Sequence, residues 1–321
     1  MKAIQFLVFS LLLILFFQVQ AETNPCQSDR VSLQMLGTGG PELITYPALT
    51  TKSVTNKNKA STSYLIWLDN KARIIIDAGP GSANNFKQTS ARYEDLSVFL
   101  FTHFHVDHSN DFAALIKGGF FSERNTDLLV FGPSGDTFIL SANQFVERSF
   151  SASNGLYPYL SSFIDRESHS AYQIKTQTIE WTYKNVNIRP VYKNNDFNIQ
   201  TVSVHHGPFP ALAYRIEVAG CVLSFTGDMS GRLHSMPDLA KHSDILVAHN
   251  AIPEDAVGRA QLLHMKPSYI GKIAGKAEVK KLLLTHLMER SMDRRDETIQ
   301  EIRKHYQGPI IFPQDLDHFQ P

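Results

Sequence analysis

Three histidines and an aspartate fall within six residues in the run Thr102-His103-Phe104-His105-Val106-Asp107-His108. Imidazole nitrogen and carboxylate oxygen together form a donor set that zinc takes and that manganese and iron also accept. The run follows Ser97 to Phe101, an apolar stretch that predicts a strand. Side chains alternate along a strand, so His103 and His105 leave its end on one side, and a turn beyond brings Asp107 and His108 round to meet them. A lone histidine is usually structural, but four donors at this spacing predict a metal site.

One such cluster cannot close two metal sites, and three further donors stand at predicted strand ends. His206 follows Phe197 to Val204 and precedes Gly207-Pro208, Asp228 sits in Thr226-Gly227-Asp228 after Cys221 to Phe225, and His286 ends Lys280 to Thr285. Each alone is weak, since an Asp after Gly is commonly a turn residue. His205 adjoins His206 and competes with it for the role of ligand.

The elements that must position these donors alternate between strands and helices. Val31 to Leu36, Ser63 to Leu68, Arg73 to Ile76 and Leu128 to Phe131 read as strands, and Asp111 to Lys117 and Asp136 to Phe150 as helices. Strands resume at Thr178 to Tyr183, Val186 to Tyr192, Ala211 to Val218 and Asp244 to Ala248. Helices from Pro267 to Ala277 and Arg294 to His305 and a last strand, Ile310 to Phe312, complete the pattern. No internal repeat, low-complexity tract or long linker interrupts it, which predicts a single domain over 22–321.

The first 21 residues read as a signal peptide: Lys2, an apolar run from Phe6 to Phe17, and Val19-Gln20-Ala21 as the cleavage site. The mature chain is expected to begin near Glu22 and to be periplasmic or secreted, with no later segment spanning a membrane. An oxidising compartment permits Cys26 to pair with Cys221, while a buried thiol at Cys221 and a loop thiol at Cys26 is the other reading. Lys plus Arg and Asp plus Glu both number 31, and no basic run is present, so no stable nucleic-acid partner is expected.

The ordered set of motifs resembles the metallo-β-lactamase superfamily and, within it, the ribonuclease Z and arylsulfatase-like branch. The resemblance runs from Val31 to Phe312. It rests on Leu36-Gly37-Thr38-Gly39-Gly40-Pro41, Ile76-Asp77-Ala78-Gly79-Pro80-Gly81, the histidine run, His206-Gly207-Pro208 with Ala213-Tyr214-Arg215, Phe225-Thr226-Gly227-Asp228 and Leu284-Thr285-His286. It implies an αββα sandwich, two mixed sheets packed face to face with helices outside and a dinuclear site at one edge. By that resemblance His103, His105 and His206 hold one metal, Asp107, His108 and His286 the other, and Asp228 bridges them. The ligand directly precedes Gly-Pro in the family pattern, which favours His206 over His205. Asp77 matches a position that supports the metal-binding loop.

Two zinc, manganese or iron ions lower the pKa of shared water and supply a hydroxide nucleophile without Ser or Cys. His264 matches a histidine that ribonuclease Z-like enzymes keep outside the metal shell, as general acid or transition-state clamp. His249, at another strand end, joins Asp107 and His264 as a catalytic candidate. The expected function is exported hydrolysis of a phosphodiester or sulfate ester in a small anionic substrate, by a monomer or homodimer. A lactonase or β-lactamase acting at a carbonyl and a non-catalytic metal-binding scaffold remain the alternatives. The chain lacks the long Gly- and basic-rich insertion with which ribonuclease Z grips transfer RNA, so transfer-RNA processing is not the expected role. The stretch from Asn110 to Tyr172 is expected to wall the substrate pocket.

Overall fold

A computed structural model describes residues 25–42, 59–168, 170–184 and 186–321. The signal peptide over 1–21 and the expected start of the mature chain at Glu22 lie outside the described residues.

The first sheet is built from β1 (Val31–Gly37), β2 (Ser63–Leu68), β3 (Lys71–Ile76), β4 (Val98–Leu100), β5 (Leu128–Pro133) and β6 (Ile174–Ile179). The second contains β7 (Arg189–Lys193), β8 (Phe197–His206), β9 (Phe209–Val218), β10 (Cys221–Phe225), β11 (Ile245–His249), β12 (Lys281–Thr285) and β13 (Ile310–Ile311). The final strand, β14 (His318–Phe319), returns to the first sheet beside β1, so each has seven strands among the described residues. In both sheets antiparallel pairing gives way to parallel pairing, at β3 in the first and at β10 in the second. This is the αββα sandwich expected from the sequence.

Leu33, Ile66, Ile76 and Leu100 of one sheet meet Leu212, Tyr214, Phe225 and Val247 of the other in a buried interior. Burying each such side chain stabilises the fold by about 1.5–3 kcal/mol before the entropy of ordering is counted. A second cluster lies around Phe99, Phe101, Phe112 and Phe150 on the first sheet's outer side, and a third around Leu246, Leu284, Ile270 and Ile302 on that of the second. Central strands with both faces covered are therefore largely apolar, as in Ser63–Leu68, where every residue is buried.

Two sequence expectations are corrected in detail. Asp136 to Phe150 is not helical throughout: the helix is Ala142–Phe150, because Ser141 caps it, accepting from Gln144 N, while Asp136 Oδ1 binds the Phe138 and Ile139 amides in a separate turn. The strand expected over Thr178 to Tyr183 lies earlier, at Ile174–Ile179, in parallel register with β5 from Leu128 to Pro133. Past that register the Trp181 amide donates instead to Ser134 Oγ, and its indole donates to the Val204 carbonyl. Of the two readings of the cysteines, the structure has the bridge: Cys26 and Cys221 are joined, with Cα atoms 4.2 Å apart, which staples the start of the described chain to β10. Among the described residues no helix is long and apolar enough to cross a membrane.

Candidate metal centre

The donors stand where strands of both sheets end. β4 passes through Phe101 and Thr102 to His103 and His105, and a short helix, Val106–Ser109, carries Asp107 and His108. β8 ends on His206, β10 runs into Gly227-Asp228, and β12 ends just before His286. Gly227 has φ +56°, a conformation that favours glycine, and a side chain there would press on Thr102. Asp77 and His286 adopt positive φ without being glycine, at 58° and 54°, at a cost on the order of 1 kcal/mol each that surrounding structure must offset.

Asp77 is fully buried at the end of β3 and fastens the histidine run from beneath. Its Oδ1 accepts the Thr102 amide at 2.8 Å, and its Oδ2 accepts Thr102 Oγ1 at 2.7 Å and lies 2.8 Å from His108 Nδ1. The Asp77 bond places the Nδ1 proton of His108 on the carboxylate side, leaving Nε2 turned toward the other donors. His206 is oriented the same way: its Nδ1 lies 2.8 Å from the Leu263 carbonyl, which only an N–H can satisfy.

Asp228 is the meeting point. Its Oδ2 lies 3.6 Å from His206 Nε2, 3.7 Å from His108 Nε2 and 4.0 Å from His103 Nε2, and its Oδ1 lies 3.3 Å from His286 Nε2. His105 Nδ1 stands 3.3 Å from His206 Nε2. Asp107 Oδ2 is 3.1 Å from His286 Nε2 and 3.5 Å from His108 Nε2. His103, His105 and His206 thus form one group with Asp228, and His108, His286 and His249 a second with the same Asp228, which Asp107 joins through His286 and His108; the Nε2 atoms of His103 and His108 are buried and without hydrogen-bond partners. Unpartnered buried nitrogens are costly, and converging lone pairs beside two carboxylates suit divalent cations, so the residues present fit divalent metal ions.

The electrostatics follow. Burial pushes His206 down to about 4 against the pull of Asp228, so its imidazole is neutral at pH 7. For His108 burial has the same sense, but Asp107 and Asp77 outweigh it and raise the group to about 9, so a proton occupies this site when no metal does. Burial opposes ionisation of Asp107, yet His108 and His286 hold it well below the usual carboxylate range.

His264 lies at the edge of this cluster, 8% exposed, with Nδ1 3.7 Å from Asp228 Oδ2 and no hydrogen-bond partner on that nitrogen. Burial drives it down to about 3, with the Asp228 charge opposing. It is therefore a neutral imidazole across the working range of pH.

His249 departs from the sequence expectation. Its Nδ1 lies 2.7 Å from Asp228 Oδ1 and its Nε2 lies 2.9 Å from the Tyr64 hydroxyl, so both ring nitrogens are engaged inside the protein. It holds Asp228 and is not placed to act on substrate, a correction to its standing as a catalytic candidate. His205 points elsewhere, with Nδ1 2.7 Å from Ser230 Oγ and its ring stacked on Tyr183. Tyr64, Thr102 and Phe209, the last edge-on to His105 at 4.5 Å, carry no signal in the sequence beyond apolar or strand-end position. Within the stretch from Asn110 to Tyr172 expected to wall the pocket, Phe120 packs on Phe163, Phe163 on Tyr172, and Tyr172 on Tyr93, the last three in the outer layer of the first sheet.

Comparison with known proteins agrees with this geometry. The family model described as the beta-lactamase superfamily domain matches residues 72–287. Ribonuclease Z of Methanosarcina mazei is 21% identical over 301 residues, covering 86% of this chain and 93% of its own. The metallo-beta-lactamase fold protein YhfI of Bacillus subtilis superposes with a TM-score of 0.65 at 20% identity, over 91% of this chain and 99% of its own. The short form of human tRNase Z does so with a TM-score of 0.64 at 15% identity, over 90% and 98%. With the matched span enclosing Asp77 and every donor from His103 to His286, the chain belongs to the β-lactamase superfamily domain family, as a metallo-β-lactamase-fold hydrolase of the ribonuclease Z branch.

Proposed function

We propose that the protein is an exported hydrolase that uses two divalent metal ions, zinc first among them, to cut a phosphodiester in a small anionic ester. The observation that carries this reading is the placement of Asp228, whose carboxylate lies against histidines of both groups, Oδ2 beside His206, His108 and His103 and Oδ1 beside His286. His103, His105 and His206 would hold one ion, Asp107, His108 and His286 the other, and Asp228 both. When bound, the pair supplies Lewis acidity at the substrate oxygen and activation of water near neutral pH.

The chain's own residues do the rest. The Asp228 charge offsets repulsion between the ions, Asp77 and the Leu263 carbonyl keep His108 and His206 turned inward, and neutral His264 is free to donate a hydrogen bond to charge developing on the substrate. Val106, 70% exposed, and Phe209 give the rim beside His105 an apolar character that suits an organic ester group. Ribonuclease Z, the name its relative bears, describes a phosphodiester-cleaving enzyme. The even charge balance fits a small ester better than a long nucleic acid.

The test is a substrate screen. The zinc- or manganese-replete protein is expected to hydrolyse bis(p-nitrophenyl) phosphate, to lose that activity to a chelator and to regain it on metal addition. Opening of lactone or β-lactam rings, or hydrolysis of aryl sulfates alone, would refute the phosphodiester assignment.

Export is supported by the Cys26–Cys221 bridge, since such bonds persist chiefly in oxidising compartments. A signal of residues 1–21 then precedes one hydrolase domain over 22–321, a division consistent with the interior that both sheets share. The intact mass of exported protein is expected to match a start near Glu22 with the two cysteines oxidised. Full-length mass in the soluble fraction would contradict it.

A further inference from the structure

Beyond the metal donors, one fully buried chain of polar groups runs from the first sheet to the second. Tyr64 lies on β2 with its ring between the sheets, tilted against that of Phe225 with centroids 5.6 Å apart. Its hydroxyl is 2.7 Å from Thr285 Oγ1 and 2.9 Å from His249 Nε2. His249 Nδ1 is in turn 2.7 Å from Asp228 Oδ1. Tyr64, Thr285, His249 and Asp228 are all 2% exposed or less. Thr285 immediately precedes His286, so the phenol touches the supports of two donors at once.

The direction of each bond follows from the donors available. An ionised carboxylate only accepts, so the bond to Asp228 requires a proton on His249 Nδ1. A neutral imidazole with its proton there has a bare Nε2, which needs a donor in a site without water access. Tyr64 is the group within reach, and its oxygen is left to accept from Thr285 Oγ1. One arrangement therefore satisfies every atom: Thr285 donates to Tyr64, Tyr64 to His249 and His249 to Asp228.

The alternative for His249 is close at hand. Its donor atoms, with those of His108, Asp228 and His286, all lie within 4.8 Å of one another, so an imidazole with the opposite proton would present Nδ1 to the same cation. We infer that Tyr64 is a positioning residue for the second metal site: by donating to Nε2 it fixes His249 as a donor to Asp228 and keeps it from becoming a ligand itself. It acts through His249 and touches neither metal nor substrate. The inference rests on the proposed dinuclear reading for its consequence, but the proton arrangement it asserts belongs to the protein alone.

Two measurements separate these. In the metal-free wild type, long-range proton–nitrogen correlation of the imidazoles should report His249 protonated on Nδ1; a proton on Nε2 would overturn the inference without touching the dinuclear reading. Zinc titration against a competing chelator should then show two sites in the wild type, whose absence would instead sink the dinuclear reading. In Tyr64→Phe the weaker site is expected to lose roughly 10–100-fold in affinity while the tighter one is unchanged, as for other groups that orient ligands. Thr285→Val, which leaves Tyr64 able to donate to His249, should lose less. A pairwise cycle of Tyr64→Phe with His249→Gln should be non-additive, the second change adding little to the first. Equal weakening of both sites by Tyr64→Phe, or additive losses, would reduce Tyr64 to a packing residue and overturn the inference.

Discussion

Asp228→Ala is expected to purify with one metal or none and to lose roughly 10²–10³-fold or more of its activity, the range seen when an electrostatic group at a reacting centre is removed. The carboxylate faces His103, His108 and His206 with one oxygen and His286 with the other, and no other acid lies within reach of both groups among the described residues. Asp107 contacts only His108 and His286 and cannot replace it. Removing Asp228 also strips His249 of its acceptor and leaves His108 and His286 with less negative charge to stabilise their protons. The metal-free variant should therefore be less stable, on the order of 3–5 kcal/mol for a broken buried charge contact. Asp228→Asn separates shape from charge: it should keep the fold better yet still lose metal. His205→Ala is the control and should retain both ions, because His205 bonds Ser230 outside the cluster. Plasma emission on the purified variants decides the matter, and two equivalents of metal in Asp228→Ala would refute the bridging role.

What the sequence made readable divides by the distance over which the physics acts. The run His103 to His108 is local, and strand alternation followed by a turn predicts its convergence without knowledge of the fold. His206, Asp228 and His286 are individually ordinary strand-end residues, and only the ordered resemblance joined them to the run. The Tyr64–His249 contact spans 185 positions and the Cys26–Cys221 bridge 195, and no periodicity encodes such pairings. His249 shows the same limit: its strand-end position is the same as that of the donors, and only the partners on both nitrogens distinguish a support from a reactant. The apolar strands were legible in place, whereas Ile174–Ile179 was set by its register with β5, a tertiary choice that propensity does not contain.

His264→Ala is expected to keep both metals and to lose roughly 10²–10⁴-fold in kcat, the range for a group acting at the reacting centre in the transition state. The sequence left two roles open for this residue, proton donor or charge clamp, and its surroundings distinguish them. Burial and the neighbouring imidazoles outweigh Asp228 and press His264 down to about 3, so an imidazolium is scarce above pH 5. Bound cations nearby would press it in the same direction. A neutral imidazole is a poor acid but a good hydrogen-bond donor, and in a site closed to water such a donor stabilises developing negative charge strongly. The ratio of wild-type to His264→Ala kcat should therefore be flat from pH 5 to 9 and nearly the same for p-nitrophenyl and poorer leaving groups. Linkage gives an independent readout of the same ionisation state. A histidine with a depressed folded pKa stays unprotonated in the native state while the unfolded chain takes up a proton below about 6.5, so stability falls as pH drops from there toward 3. The metal-free His264→Ala protein, lacking that group, should lose less stability than the wild type between pH 6.5 and 4. A loss of activity confined to poor leaving groups, shrinking as pH rises, would restore the proton donor and reject the clamp.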